Sequence, residues 1–218
     1  MSMTQKLILA LPKGRILDQV EPILKECDII PDPGFNDEYN RGLRFRTNHE
    51  NLDIIRVRAF DVATFVAFGA AHLGIVGSDV IDEFEYEELY APLDLKIGKC
   101  RLSVAMLKDD PEKDSPKSWS HINIATKYPH LTRLHFANKG IQAECIKLNG
   151  AMEIAPNLGL CRRIVDLVES GSTLKANGLE EVETILDVSS YLVVNKTASK
   201  VRQKEIEGWI DTFRKILQ

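Results

Sequence analysis

Residues 6–11, KLILAL, hold an unbroken apolar run from Leu7 to Leu11, and residues 16–26 follow with apolar positions at Ile16, Leu17, Val20, Ile23 and Leu24. The run predicts a buried strand and the 3.6-residue spacing a helix, with LPKGR as the turn between them. Turn residues crowd positions 31–42, PDPGFNDEYNRG, and predict a loop. Residues 43–47 then alternate apolar and basic side chains as a half-exposed strand does, and residues 53–57 supply its hairpin partner. Arg56 and Arg58 fall on one face of that partner, and a helix starts at Asp61 and runs to about Gly69. Residues 72–76 predict another short strand, ending in Gly77-Ser78-Asp79 before a helical stretch. The acidic tract over 82–88 reads as a solvated face.

A second series begins at residues 100–107, CRLSVAML, a strand followed by the most polar and loop-like segment of the chain, 108–120. A strand at 122–126, a helix at about 128–138, an apolar segment at 143–148 and a short one at 152–155 come next. Residues 164–168 form a β-branched run that predicts a buried strand, and Leu174 to Lys175 begin a helix stopped by Asn177-Gly178. The second half of 182–195 is strongly strand-like and long enough to run back between two lobes. Residues 198–217 predict one amphipathic helix with Val201, Ile206, Trp209, Ile210, Phe213 and Leu217 on a shared face, Trp209 serving as core. Strands alternating with helices imply parallel sheets. Two series imply two lobes, one from 1–95 plus 185–218 and the other from 96–184.

Composition narrows the function classes. With 218 residues, 44% of them hydrophobic and 28% charged, the chain has enough material for real cores. A formal net charge of -4 disfavours nucleic acid as a partner while leaving small anions open. No stretch approaches the length of a membrane span, and the early apolar run is too short for a signal core, so a cytoplasmic location is expected. Cys27, Cys100, Cys145 and Cys161 show no CxxC spacing, and His130 and His135 are five apart rather than four. Reduced thiols and no protein-bound zinc are expected.

The strongest candidate chemistry lies in IVDLVESGSTLKANGL, residues 164–179. A strand, a loop of small residues and a helix start make an anion site, because the first helical amides lack acceptors and the dipole is positive there. Ser170, Ser172 and Thr173 add hydroxyl donors, and Gly171 lets a phosphate approach the backbone. The alternative is that Ser170 caps a surface helix. Asp166 is the lone carboxylate in the apolar run. Its spacing to Ser170-Gly171-Ser172-Thr173 is similar to the phosphoribosyl-diphosphate signature of phosphoribosyltransferases, with Ser172 in place of the second glycine. Lys13 and Arg15 put cations at the carboxyl end of a strand, where open α/β sheets bind ligands, or else form a solvated basic turn. Arg58 suits a phosphate or a salt bridge. Asp79 suits a helix cap or a ligand at the strand end.

Four segments in order resemble the ATP phosphoribosyltransferase family, which opens histidine biosynthesis: LPKGR at 11–15, RVRAFD at 56–61, GIVGSDV at 74–80, and LNGAMEIAP through VDLVESGSTLKANGL over 148–179. The resemblance implies an α/β fold of two periplasmic-binding-protein-like type II lobes with a cleft between them. It also implies transfer of a phosphoribosyl group from phosphoribosyl diphosphate to N1 of ATP. On that basis Arg58 and Arg15 are expected to be catalytic. Leu11, Lys13, Gly14, Ser78 and Asp79 are expected to bind ATP or pyrophosphate, and Glu153, Asp166, Glu169, Ser170, Gly171, Ser172 and Thr173 phosphoribosyl diphosphate. Mg2+ is the implied cofactor, met by Glu153 and Asp166 indirectly or through the substrate.

The family's long form carries a regulatory domain after the region matching 191–195, and this chain ends too soon for it. It therefore resembles the short form, whose catalytic subunits, expected as dimers, assemble with a regulatory subunit similar to histidyl-tRNA synthetase. One departure stands out. Family members commonly place Ala-Asp after Gly159-Leu160, where this chain has Cys161-Arg162-Arg163. The rival readings are a phosphoribosyltransferase for a free base and a non-catalytic small-anion binding protein.

Overall fold

A computed structural model describes residues 6–37, 39–110 and 120–217. In chain order its elements are β1 (Leu7–Pro12), α1 (Arg15–Glu26), β2 (Arg44–Arg46), β3 (Leu52–Val57), α2 (Ala59–Ala67), β4 (Leu73–Gly77), α3 (Ser78–Phe84) and β5 (Leu89–Asp94). There follow β6 (Cys100–Leu107), β7 (His121–Thr126), α4 (Pro129–Ala137), β8 (Gln142–Lys147), β9 (Arg163–Val168), α5 (Ser172–Ala176), β10 (Leu179–Val188), β11 (Ser190–Asn195), α6 (Lys196–Val201) and α7 (Gln203–Ile216). The chain divides into two units, residues 1–98 with 189–218, and residues 99–188. These boundaries lie a few residues beyond those expected, because β10 continues unbroken to Val188. The polar loop expected over 108–120 falls largely outside the described residues.

Unit 1 holds a six-stranded sheet in the order β2-β3-β1-β4-β11-β5. The unbroken apolar run of β1 reflects burial on both faces. Leu7, Leu9 and Leu11 point into a core closed by α1 and α7, while Ile8 and Ala10 share a second core with Val62, Ala63 and Val66 of α2. Gly74 on β4 permits that second layer, since a Cβ there would lie 2.7 Å from Val62 Cγ1 and 2.8 Å from Val66 Cγ2. Unit 2 holds a five-stranded sheet, β10-β6-β9-β7-β8. Its β7 pairs in parallel with β8 and β9, whereas β6 runs antiparallel to both β9 and β10.

Four expectations need correction. The sheets are mixed rather than parallel: besides the expected β2–β3 hairpin, β11 returns antiparallel between β4 and β5, and β6 runs antiparallel to β9 and β10. The C-terminal helix is broken at Arg202 (φ -120, ψ 40), leaving Val201 78% exposed instead of in the apolar stripe. The acidic tract is not wholly solvated. α3 places Asp79 and Glu83 one turn apart on its buried side, so Glu83 is 9% exposed and Asp79 3%. Finally, the second strand ends at Val57, so Arg56 and Arg58 do not share a strand face.

Trp209 is half-buried against the unit 1 core and meets His49 edge-to-face at 5.0 Å. Asn195 ties the helical end to α2, its Nδ2 donating to Val66 O at 2.9 Å and its Oδ1 accepting from Ala198 N at 2.8 Å. Among the described residues no helix is long and apolar enough to cross a membrane. Cys27 and Cys161 are buried thiols, and Cys100 and Cys145 are half-buried.

Candidate functional site

In unit 1, β3, β1 and β4 lie side by side and parallel, so their carboxyl ends share one edge of the sheet. The register pairs Leu11 with Arg56 and Pro12 with Val57, and Lys13 N donates to Val57 O at 2.8 Å. Lys13, Gly14 and Arg15 therefore leave β1 beside Arg58 as it leaves β3. Gly14 adopts φ 87, ψ -157, a backbone that suits glycine and turns the strand into α1 within two residues. Lys13, Arg15 and Arg58 are all exposed. Leu11 is fully buried in the core, so only its backbone can serve a ligand.

The neighbouring arginines divide their tasks. Arg56 donates Nη1 to Phe35 O at 2.5 Å and lies 5.5 Å and 5.3 Å from the ring centroids of Phe35 and Phe45, a packed structural position. Arg58 occupies the N-cap position of α2 in extended backbone (φ -71, ψ 149), with its side chain at the edge. Beyond β4, Gly77 rather than Asp79 takes the N-cap position of α3, and Asp79 is buried inside the first turn. Ser78 N donates to Ser189 O at 2.8 Å, and its Oγ accepts from Ser189 N at 3.3 Å, leaving the hydroxyl proton able to reach an anion.

In unit 2 the parallel trio is β9, β7 and β8, so the segments after β8 and β9 leave the same sheet edge. Glu153 lies in the 3-10 turn Met152–Ile154 after β8, half-buried. Residues 169–173 follow β9. Gly171 sits at the N-cap position of α5 with φ 73, and Ser170 Oγ lies 3.0 Å from Ser172 Oγ and accepts from Ser172 N at 3.3 Å. The hydroxyl-bearing Ser170, Ser172 and Thr173 are exposed, and Leu174 alone plugs α5 into the core at 5% exposure.

Two sequence expectations change here. Ser170 is not the helix cap, since Gly171 holds that position. α5 is five residues long, stopped at Asn177-Gly178, so little dipole builds up, and the donors are loop amides and hydroxyls instead.

Asp166 is half-buried on the sheet face it shares with Ile164 and Val168, opposite Ser103 in the register, and its Oδ1 accepts from Leu167 N at 2.8 Å. Among the described residues no cluster of three or more His, Cys, Asp or Glu could cage a metal. Two carboxylates with substrate oxygens nonetheless suit Mg2+, which keeps water and phosphate ligands and seldom needs an all-protein cage. Arg162 precedes β9, whereas residues 169–173 follow it, so the departure from the family pattern sits at the opposite sheet edge, paired with Asp110 at 3.6 Å. Periodicity missed Arg101, which lies unremarked in the expected strand 100–107, and Glu181, which precedes the segment expected to be strand-like. The signal was the run Arg101, Ser103, Ala105, a polar and small face alternating with Leu102 and Val104.

A family model described as ATP phosphoribosyltransferase matches residues 58–215. The ATP phosphoribosyltransferase of Paramagnetospirillum magneticum is 63% identical over 215 residues, covering 99% of this chain and 98% of that one. That of Rhodospirillum rubrum is 65% identical over 209 residues, covering 96% and 92%. Among solved structures, the ATP phosphoribosyl transferase (HisG:HisZ) complex from Thermotoga maritima matches at a TM-score of 0.82 and 29% identity, covering 97% of this chain and 98% of that one. The periplasmic aliphatic sulphonate binding protein SsuA from Escherichia coli matches at 0.57 and 13% identity, covering 98% and 73%, a likeness of fold alone. The expected α/β, periplasmic-binding-protein-like type II class holds.

Proposed function

This chain belongs to the ATP phosphoribosyltransferase family, and from that premise we infer how its two strand-edge sites divide the reaction. The family's reaction, the first step of histidine biosynthesis, joins N1 of the ATP adenine to C1 of phosphoribosyl diphosphate and releases pyrophosphate. N1 is neutral and carries a free lone pair, so attack needs no strong base. Rate enhancement rests on aligning two substrates and on stabilising charge as the ribosyl carbon becomes cationic and pyrophosphate leaves.

The observation that carries the assignment is the exposed hydroxyl-and-amide loop directly after β9, with Gly171 in a left-handed turn at its centre. In our reading, Ser170, Gly171, Ser172 and Thr173 hold the 5'-phosphate, and Glu169, Asp166 and Glu153 serve the ribose side. Lys13, Gly14, Arg15, Arg58, Ser78 and Asp79 form the ATP and pyrophosphate side, with Arg58 on the leaving group. Asp166 and Glu153 would meet Mg2+ through the substrate. When bound, the ion neutralises pyrophosphate charge. We place the reaction in the cytoplasm.

Thr173→Ala tests the loop. Losing one hydrogen bond to a charged group should weaken phosphoribosyl diphosphate about tenfold to a hundredfold and spare ATP. Initial rates, followed by the near-ultraviolet change of an N1-substituted adenine with ATP, phosphoribosyl diphosphate and Mg2+, measure both constants. Equal weakening of the two would remove the assignment, and no product with ATP would favour a free-base substrate.

Regulation is assigned to an assembly. The structural relative is a HisG:HisZ complex, which supports a HisZ-type regulatory partner for this chain; we take that partner to be of the histidyl-tRNA-synthetase-like kind and the catalytic subunits to be paired. A coupling between sites requires a second site and two states of different affinity, both placed in that assembly. Histidine should barely inhibit the isolated chain and inhibit clearly once the partner is added. Titrating histidine against initial rates with and without the partner decides the matter, and strong saturable inhibition of the chain alone would contradict it.

A further inference from the structure

Beneath the 169–173 loop, an ion pair across two neighbouring strands extends a third contact to the loop itself. Arg101, near the start of β6, donates Nε to Glu181 Oε1 of β10 at 2.5 Å and Nη2 to Glu181 Oε2. Its Nη1 donates to the backbone carbonyl of Glu169 at 3.2 Å. In the register Arg101 faces Val168, the last residue of β9. The main-chain ladder stops there, and the guanidinium engages the next carbonyl along the chain.

The clamp is built from both sides. Glu181 also accepts from Ser103 Oγ at 2.7 Å and Thr184 Oγ1 at 3.3 Å, and Ser103 is fully buried. These donors, the Arg101 guanidinium first, hold the Glu181 carboxyl at about 2, well below the usual carboxylate range. A planar fork held through Nε and Nη2 by a carboxylate has its Nη1 donors aimed in fixed directions, which a flexible ammonium cannot reproduce. Partly exposed ion pairs add little to stability, so the contact to Glu169 is the informative one.

We propose that Arg101 is a positioning residue for phosphoribosyl diphosphate: held by Glu181, it fixes the Glu169–Ser170 peptide so that the loop donors converge before the phosphate arrives. The proposal rests on the reading of residues 170–173 as the phosphate loop. That loop is anchored upstream by Val168 in β9 and downstream by Leu174, and without Arg101 the Glu169–Ser170 peptide beyond the ladder would have to be ordered by the substrate at a cost in affinity.

The test compares initial rates of the full chain with Arg101→Ala, Arg101→Lys, Glu181→Gln and the reference variant Thr173→Ala. Arg101→Ala should raise the KM for phosphoribosyl diphosphate about tenfold, one hydrogen bond's worth, and leave that for ATP within about twofold. Arg101→Lys should rescue only part of the loss. Glu181→Gln, which leaves Arg101 its Glu169 contact but slackens the fork, should give a smaller increase of the same selectivity. If Arg101→Ala does not fold, as judged by thermal melting, the other two variants decide. Equal increases for both substrates, or none, overturn the proposal. If Thr173→Ala is selective while the Arg101 and Glu181 variants are not, the positioning role alone falls. If Thr173→Ala is also unselective, the loop reading falls with it.

Discussion

Replacing Arg58 with alanine is expected to lower kcat about a hundredfold to a thousandfold, the loss seen when one donor to developing charge is removed. The two KM values should change much less, because a contact that strengthens as pyrophosphate departs acts on the transition state rather than on ground-state binding. Arg58→Lys should not restore the rate. Lysine keeps the charge, but it lacks the planar fork that grips two phosphate oxygens. Its neighbour supplies the control, since Arg56 is packed against Phe35 and Phe45 and bonded to Phe35 O. Arg56→Ala should therefore lower the melting temperature more than the rate. A fully active Arg58→Lys would give Arg58 a structural role and move leaving-group stabilisation to Arg15 or Lys13.

Leu9→Ala should destabilise unit 1 by about 2 to 5 kcal/mol, a large fraction of the roughly 5 to 15 kcal/mol that holds a typical domain together. Leu9 is 1% exposed at the centre of β1, with Ile54 on one side and Leu73 on the other in the register. Truncation there leaves a cavity in the layer between the sheet and the helices α1 and α7, and the strand ladders limit how far the backbone can move to fill it. The measurement is urea unfolding with amide exchange read in β1, β3 and β4. A loss under about 1 kcal/mol would mean that the sheet relaxes around the site more freely than buried side chains usually do. Because β1 also delivers Lys13 and Arg15 to the edge, activity should fall with the folded fraction and no faster.

Most strands and the site loops were legible because their signals are local, whereas β5 and β10, with charged residues along them, were not read as strands. KLILAL reads as β1 and CRLSVAML as β6 from consecutive residues alone, and the loop after β9 announces itself through Ser170, Gly171 and Ser172. What escaped depends on contacts distant in sequence. Arg101 and Glu181 are separated by 80 positions, and neither stands out until β6 and β10 are paired. The burial of Asp79 and Glu83 follows from which side of α3 meets the sheet, a choice that an acidic tract conceals. The break at Arg202 escaped because helical spacing continues through it, and only the backbone angles and the adjacent Arg202–Glu205 pair mark the new start. The antiparallel return of β11 was equally hidden, since alternation of strands and helices carries no sign of strand direction.

That return has a consequence for synthesis. Unit 2 is one continuous stretch lying between two parts of unit 1, and β4 acquires its partner β11 only after about 110 further residues have been made. At roughly 5 to 20 residues per second, the β4 edge of a nascent chain stays open for roughly 6 to 20 s. An open edge presents unpaired main-chain groups to any neighbouring strand. A chain that ends just after residue 188 therefore has its second unit entire while its first offers a sticky border, and such fragments will need a chaperone or a protease.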